Sequence, residues 1–187
     1  MALSKAIFLD KDGTLVKDVP YNVNPELIVL ADEIIEGLKN LANAGYKLIV
    51  ISNQAGVAMG YFEIEDLAAA EEKLNTLLLA HGVRIDAYYY CPHHPKAIIE
   101  AYRAHCNCRN PAAGMLKKAA SEREISLAAS WMIGDILNDI EAGNAAGCRT
   151  VLIDNGNETE WVGGSKRHPY FVAPTINEAA AMILALN

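Results

Sequence analysis

The chain of 187 residues lacks any long apolar segment. No uninterrupted apolar run approaches the ~18 residues that a membrane-spanning helix needs, so no such helix is predicted. Runs of lysine and arginine are also absent, and the formal net charge is -7. Nucleic acids and anionic membranes are bound through clustered positive charge, so we expect neither as a partner. A small phosphorylated metabolite needs only local positive charge and stays compatible with this composition.

Cysteine is scarce, with four residues in the chain, and no signal peptide is expected. The first strand pattern begins at Lys5, which leaves no room for a charged and then apolar leader. We therefore expect a cytoplasmic protein, in which disulfides are uncommon. Three cysteines instead cluster with histidines over residues 91–108, as metal ligands do. The fourth, Cys148, has apolar neighbours, and we expect it in the core.

Strand and helix patterns alternate along the chain, without internal repeats or low-complexity segments. The predicted strands are the apolar run that ends at Leu9, then 46–51, 85–90, 130–133 and 149–153. The predicted helices are 31–44, 63–80, 113–122, 139–146 and 173–185. This alternation indicates an α/β fold with a parallel, doubly wound sheet, because each crossover is right-handed and covers one face. At this length and 52% hydrophobic residues, we expect a single domain over 1–187.

Two aspartates stand at the end of the first predicted strand, in the sequence Asp10-Lys11-Asp12-Gly13-Thr14. Open α/β sheets carry their ligand sites at the carboxyl ends of the strands. The turn at Gly13 lets both carboxylates approach one small ligand, and paired carboxylates favour a cation. Aspartate and glycine are also common turn residues. The pattern alone therefore leaves a hydrated loop as an equal alternative.

Polar residues follow two further strands, with Ser52-Asn53 after the second and Gly134-Asp135 after the fourth. Ser52 and Asn53 alone would predict only a helix cap, for which both residue types are preferred. With D-K-D-G-T, a strand-terminal S-N and G-D-x-x-x-D together, the chain resembles the haloacid-dehalogenase-like phosphatases. The resemblance implies that Ser52 and Asn53 bind the oxygens of a transferring phosphoryl group.

The resemblance also implies a strand order, 5-4-1-2-3, with the first strand central. The two gaps in which this superfamily inserts a cap domain are too short here to hold one. We therefore expect a site open to fairly large substrates.

Catalytic roles are implied for the aspartates in the same way. Asp10 would be the nucleophile that forms an aspartyl phosphate, and Asp12 would protonate the leaving group and later activate water. Mg²⁺ would be held by Asp10, the backbone carbonyl of Asp12 and Asp135. Asp139 would hydrogen-bond the loop without contacting the metal.

A second metal site is predicted from three sulfurs and one imidazole, the tetrahedral set of a structural zinc. The candidate ligands are Cys91, His93, Cys106 and Cys108. His94 and His105 are adjacent alternatives, so the sequence leaves the nitrogen ligand open.

The motifs C-P-H-H-P, C-x-C-R-x-P-x-x-G-M and S-N-Q-x-G narrow the resemblance. With these motifs the sequence closely resembles the D-glycero-D-manno-heptose-1,7-bisphosphate 7-phosphatases, and the resemblance extends over nearly the whole chain. This implies a phosphoric monoester hydrolase that removes the 7-phosphate of a heptose bisphosphate, on the route to the heptoses of lipopolysaccharide or surface glycans. The expected partner is a phosphorylated sugar, which Arg109 would contact through its phosphate, and the expected state is a monomer.

Two positions depart from the family pattern. Asn110 stands where the family reads Lys, and Met59 stands where it usually reads Arg. Both departures remove a positive charge that is expected near the substrate phosphates. Asn110 would bind phosphate only through a hydrogen bond from its amide. Lys117 and Lys118 are the candidate substitutes, a turn or two into the next helix.

Two other functions therefore stay open. One is a histidinol-phosphate phosphatase, which shares the fold, the aspartates and a zinc loop. The other is a catalytically weak, zinc-stabilised protein that binds a sugar phosphate or a partner.

Overall fold

Six parallel strands form one sheet in the computed structural model, which describes residues 3–186. The strands are β1 (Lys5–Leu9), β2 (Tyr46–Asn53), β3 (Ala87–Cys91), β4 (Trp131–Gly134), β5 (Arg149–Ile153) and β6 (Phe171–Ala173). Their order is β3-β2-β1-β4-β5-β6, with every neighbouring pair parallel. The predicted order 5-4-1-2-3 is confirmed, with a sixth strand added beside β5. The predicted domain bounds include residues 1, 2 and 187, which lie outside the described range.

Helices connect the strands and cover both faces of the sheet. They are α1 (Ile35–Asn43), α2 (Ala55–Ala58), α3 (Leu67–Leu79), α4 (Gly114–Arg123), α5 (Leu137–Ala146) and α6 (Ile176–Leu184). Short 3-10 turns occur at Pro25–Leu27, Ile64–Asp66, Glu100–Tyr102 and Leu127–Ala129. The predicted helices over 31–44, 63–80, 113–122 and 139–146 correspond to α1, α3, α4 and α5, with ends shifted by about one turn or less.

The last predicted helix, 173–185, is wrong at its start. Phe171–Ala173 is strand β6, paired with β5, and α6 begins only at Ile176. Thr175 caps this helix, since its Oγ1 accepts a hydrogen bond from the backbone N of Glu178 at 3.2 Å. A strand of three residues is too short to show the alternation of apolar and polar residues that identifies a strand. The apolar pattern of the helix that follows therefore dominates the prediction for this segment.

Two large apolar clusters, one on each face of the sheet, form most of the core, and a small third cluster consists of Leu137, Ile140 and Leu152. Along β1, Ile7 and Leu9 enter one cluster with α1, α3 and α6, whereas Ala6 and Phe8 enter the other with α4 and α5. This alternation follows from the period of two in a strand. A parallel strand covered on both faces is apolar along its length. The chain becomes polar directly after β1, at Asp10, where the strand leaves the core.

No separate cap domain is formed within residues 3–186. The segment between β1 and α1 contains only the 3-10 turn Pro25–Leu27, and the segment between β2 and β3 contains α2, one such turn and α3. None of the helices in this range is long and apolar enough to cross a membrane. The carboxyl edge of the sheet therefore has no lid made of a second domain.

Candidate active site

The carboxyl ends of β1, β2 and β4 meet at a cavity of about 440 Å³. Parallel strands end at the same edge, so loops from distant parts of the chain converge there. All but one of the predicted catalytic, phosphate-binding and magnesium residues line this cavity: Asp10, Asp12, Ser52, Asn53, Arg109 and Asp135. The exception is Asn110, which is buried and takes no part in the lining.

Three carboxyl groups lie together on this cavity, those of Asp10, Asp135 and Asp139. One oxygen of each lies within 4.8 Å of the others, and the three residues are 9%, 4% and 2% exposed. Gly134 allows this approach, because a Cβ at its position would lie 2.5 Å from Asp139 Oδ2. The structure therefore adds Asp139 to the two magnesium-site carboxylates named from the sequence.

Burial and mutual repulsion act against charging these carboxyl groups. Burial raises the pKa of Asp10 well above its usual range, and the carboxylates of Asp139 and Asp135 raise it further. Burial also raises the pKa of Asp135. For Asp139, burial followed by the charge of Asp135 raises the pKa to about 7. Clustered carboxylates of this kind are charged together only when a cation compensates them.

The donor set fits a hard divalent cation. Its atoms are carboxylate oxygens, which Mg²⁺ prefers as ligands. Asp139 Oδ1 accepts a hydrogen bond from Asn110 Nδ2 at 2.8 Å. The second oxygen, Oδ2, is buried and has no hydrogen-bond partner among the described residues. A bound cation would relieve both the repulsion and the unsatisfied oxygen.

Asp12 stands apart from this group, with its side chain 31% exposed. Lys11, itself buried, donates from Nζ to Asp12 Oδ1 in an ion pair. Gln54 Nε2 donates to Asp12 Oδ2 at 3.0 Å and to Ser52 Oγ at 2.9 Å. Asp12 is thus held at the cavity by two donors while it stays accessible to a substrate.

The next turn of the same loop fits tightly against Asp135. Gly13 has a φ of +87°, and a Cβ at this position would lie 2.1 Å from Asp135 Oδ2. Thr14 Oγ1 donates to Asp135 Oδ1 at 3.1 Å. The glycine of the D-x-D-G motif is therefore required both by its backbone conformation and by the closeness of this carboxylate.

Asn110 forms a buried link between strand β2 and the carboxylate group. Its backbone N donates to Asn53 Oδ1 at 3.0 Å, and Asn53 Nδ2 donates to the carbonyl of Asn110 at 3.2 Å. Its side chain turns to Asp139, and the residue is only 2% exposed. This position does not support the predicted contact of Asn110 with phosphate. It indicates instead a role in positioning Asp139 and Asn53.

Positive charge on the cavity wall comes from Arg109, the one Lys or Arg among its described lining residues. Arg109 Nη1 donates to the carbonyl of His93 at 3.4 Å. Lys117 and Lys118 are exposed and lie outside the lining, and Met59 is also absent from it. The candidate substitutes for the missing family lysine therefore do not reach the cavity.

The four predicted zinc ligands, Cys91, His93, Cys106 and Cys108, lie together in the structure. The Sγ–Sγ distances are 2.9, 3.1 and 3.5 Å, and His93 Nδ1 lies 3.8 Å from Cys91 Sγ and 3.5 Å from Cys108 Sγ. A tetrahedron with Zn–S bonds of about 2.3 Å has edges of about 3.8 Å, so the sulfurs lie closer together than a bound zinc would hold them. The donor set itself, three thiols and one imidazole, is that of a structural zinc. The nitrogen placed with the sulfurs is Nδ1 of His93. His94 Nδ1 accepts a hydrogen bond from Lys96 N instead, and His105 is exposed.

Four residues that contact the site were not identified from the sequence: Lys11, Gln54, Asn155 and Asn157. Lys11 and Gln54 lie inside recognised motifs, but only the folded chain shows their hydrogen bonds to Asp12. Asn155 and Asn157 follow β5 directly, and that position at the carboxyl edge of a predicted strand was the available signal.

The parallel sheet and the aspartates at its edge place the molecule in the class of haloacid-dehalogenase-like hydrolases. A family model described as HAD-hydrolase-like matches residues 107–179. The chain is 41% identical over 152 residues to a D-glycero-beta-D-manno-heptose-1,7-bisphosphate 7-phosphatase of Photorhabdus laumondii, covering 81% of each protein. The protein of the same description from Escherichia coli K12 is 37% identical over 166 residues, which is 84% of this chain and 87% of that one.

Solved structures show the same relation. The D,D-heptose 1,7-bisphosphate phosphatase of B. bronchiseptica, complexed with magnesium and phosphate, superimposes with a TM-score of 0.79 at 26% identity, over 98% of this chain and 99% of that chain. The enzyme of the same description from Burkholderia thailandensis gives a TM-score of 0.69 at 27% identity, over 97% and 99%. The chain belongs to the family of D-glycero-beta-D-manno-heptose-1,7-bisphosphate 7-phosphatases.

Proposed function

We propose that this protein is a Mg²⁺-dependent phosphomonoesterase that removes the 7-phosphate of D-glycero-D-manno-heptose 1,7-bisphosphate. The observation that carries the proposal is the buried group of Asp10, Asp135 and Asp139 on a cavity that also holds Arg109. Relatives that are 37–41% identical carry the name of this activity. A cation site beside a strand-end nucleophile is what transfer of a phosphoryl group to a carboxylate needs.

The reaction has two steps that use Asp10 and Asp12. Asp10 attacks phosphorus, so that a bond from its carboxylate oxygen to phosphorus forms and the ester P–O bond breaks. Asp12 gives its proton to the leaving alkoxide. Asp12 then takes a proton from a water that attacks phosphorus, which releases phosphate and restores Asp10.

Ser52 and Asn53 bind the phosphoryl oxygens in this proposal. Ser52 Oγ accepts a hydrogen bond from Gln54, so its own proton is free to be donated to a phosphoryl oxygen. Asn53 uses Oδ1 and one N–H of its amide to hold Asn110. One N–H of Asn53 then remains for substrate.

The two metals have separate places in the proposal. Mg²⁺ would be held by Asp10, Asp135 and the backbone carbonyl of Asp12, with the carboxylate of Asp139 beside them, and when bound it would neutralise charge on the phosphoryl oxygens. Zinc would be structural, because all four of its protein ligands are present and no position is open. Cys108 directly precedes Arg109, so the zinc ligands fix the backbone beside the arginine that would contact substrate phosphate.

Steady-state hydrolysis of three substrates tests this function: heptose bisphosphate, histidinol phosphate and p-nitrophenyl phosphate. We expect the highest kcat/KM for the bisphosphate, and loss of activity when Mg²⁺ is chelated. A preference for histidinol phosphate would support the related phosphatase instead. Binding of the bisphosphate without hydrolysis of any substrate would support the weakly catalytic alternative, which the loss of the family lysine at Asn110 favours.

A single domain over 1–187, a monomeric state, a cytoplasmic location and no nucleic-acid partner stay predictions. Light scattering coupled to size exclusion would test the monomer directly.

A further inference from the structure

Three side chains of the loop after β5 each bind a different part of the active site. They are Asn155, Asn157 and Glu158. We call residues 155–158 the β5 loop. Neither the sequence motifs nor the reaction steps above assign a role to it.

Asn157 binds a carboxylate of the proposed cation site directly. Its Nδ2 donates to Asp135 Oδ2 at 2.7 Å, while Thr14 Oγ1 donates to Asp135 Oδ1 at 3.1 Å. Each oxygen of Asp135 is therefore fixed by one neutral donor. A carboxylate oxygen has two lone pairs, so these hydrogen bonds orient the group and leave lone pairs for a cation.

Asn155 binds the loop that carries the proposed nucleophile and acid. Its Nδ2 donates to the carbonyl of Gly13 at 2.7 Å, directly after Asp12. The fit is close, because a Cβ on Gly13 would lie 2.5 Å from Asn157 Nδ2. A shift of the β5 loop would therefore move both the turn at Gly13 and the carboxylate of Asp135.

Glu158 binds the start of α5, the helix that carries Asp139. Its Oε2 accepts a hydrogen bond from the backbone N of Leu137 at 2.7 Å. Its Oε1 accepts from Glu160 N at 2.9 Å and from Trp161 N at 3.2 Å. An acidic group at a helix N-terminus is stabilised by the helix dipole. The β5 loop is thus tied to α5 as well as to β1 and β4.

We infer that Asn157 is a positioning residue for the cation site, supported by Asn155 and Glu158. It acts through Asp135, whose oxygens it aims toward Asp10 and Asp139. The inference rests on the proposed function, since that function supplies the cation. Outer partners of metal ligands typically contribute 10- to 100-fold in metal affinity or activity. We therefore expect cation affinity to depend on Asn157 although no bond joins it to the metal.

Direct titration of Mn²⁺ as a stand-in for Mg²⁺, followed by electron paramagnetic resonance without substrate, tests this inference. The variants are Asn157→Ala and Asn157→Leu, which remove the amide donor by shortening the side chain and by replacing it with an apolar branched one. We expect Mn²⁺ to bind about 10- to 100-fold more weakly, with most of the loss of activity recovered at saturating Mg²⁺. Asn75→Ala is the control, because Asn75 likewise hydrogen-bonds through its side-chain amide, accepting from Tyr88 Oη, but lies outside the cavity.

An affinity for Mn²⁺ equal to that of the wild type in folded Asn157 variants would overturn the inference. If these variants do not fold, Asn155→Ala decides, since Asn155 is exposed and its loss should weaken Mn²⁺ binding in the same direction. Unchanged binding in that variant would also overturn it. A wild-type protein that binds Mn²⁺ yet hydrolyses no phosphomonoester would instead refute the proposed function, and the affinity comparison would still stand.

Discussion

Asn110 is the residue in which this chain differs most from what its chemistry needs. Its amide donates to Asp139 but brings no charge, and its own Oδ1 is buried without a hydrogen-bond partner in the described range. Lys117 and Lys118 do not line the cavity. Lys11 is buried nearby, but it is paired with Asp12. The carboxylate group therefore has no direct partner of positive charge among these side chains.

Asn110→Lys should accelerate the enzyme. A lysine here would place a charge against Asp139 and the phosphoryl oxygens, and one such contact is worth ~3 kcal/mol or about 100-fold in rate. We expect kcat/KM on the bisphosphate to rise toward that limit, through kcat more than through KM. The control is Asn110→Met, which has similar length without the charge. A rate that is unchanged or lower in the lysine variant would show that another cation already has this role.

Asp10→Asn should leave a folded protein without measurable turnover, because a neutral amide neither attacks phosphorus nor holds the cation as well. In metal-free protein this change should also raise the melting temperature, since it removes one of three repelling buried groups. Hydrolysis and thermal unfolding are measured on the same samples. Asp154→Asn is the matched control, as Asp154 also follows a strand but is exposed. Equal turnover in wild type and Asp10→Asn would refute the role of Asp10.

At the scale of elements, the segment between β3 and α4 depends on its metal ligands. It contains only the 3-10 turn Glu100–Tyr102 and the bridge His94–Arg103 as regular structure. The sulfurs of Cys91, Cys106 and Cys108 join its two ends. A bound zinc would link the two ends of this segment and so raise the free energy of unfolding. A chelator that removes the zinc would remove this stabilisation.

Purified protein should carry about one zinc per chain, and Cys106→Ser should lose it. Without zinc the backbone beside Arg109 is free to move, so we expect KM to rise about 10-fold or more, the value of one charged hydrogen bond, with a smaller change in kcat. Elemental analysis and steady-state kinetics check this. Cys148→Ser, at a buried cysteine outside the cluster, should lower stability but keep the zinc. If elemental analysis finds no zinc in protein purified without chelators, the proposed zinc site is contradicted.

The elements with a clear apolar period could be predicted from the sequence, and the ones without it could not. Strands β1 to β5 and helix α1 have apolar patterns long enough to recognise, whereas β6 has only three residues and the sequence does not distinguish it from the helix that follows. The residues of the candidate site likewise fall into a group that could be predicted from the sequence and a group that could not. Asp10, Ser52 and Asp135 stand at predicted strand ends, where topology alone brings them together. Asn157 contacts Asp135 only because a loop folds back over the edge, and no local period encodes that contact.

At the scale of the whole molecule, the charge of the site makes stability depend on pH. Burial and Asp135 raise the pKa of Asp139 from 3.8 to about 7. An acid whose pKa is higher in the folded state takes up its proton on folding, so the folded state is favoured at low pH and loses this advantage as pH rises through about 7. Metal-free protein should therefore become less stable from about pH 4 to about pH 7 on account of this group.

Thermal unfolding across this pH range, with and without Mg²⁺, measures the effect. Protein saturated with Mg²⁺ should show a smaller slope, because the cation replaces the proton as the compensating charge. Asp139→Asn should reduce the slope in metal-free protein, and the slope that is left comes in part from Asp10 and Asp135, whose pKa values burial also raises. A metal-free protein that gains stability over this range would contradict the assignment.

Because the three buried carboxylates repel one another, the melting temperature of the protein should report whether a cation is bound to them. A cation that binds only the folded chain adds stability by mass action, about 1.4 kcal/mol for each tenfold rise in its free concentration above the dissociation constant. The melting temperature then reports occupancy of the centre. A dye-based thermal shift series over metal salts and phosphate analogues would rank ligands on the wild-type chain. Such a screen needs no heptose bisphosphate.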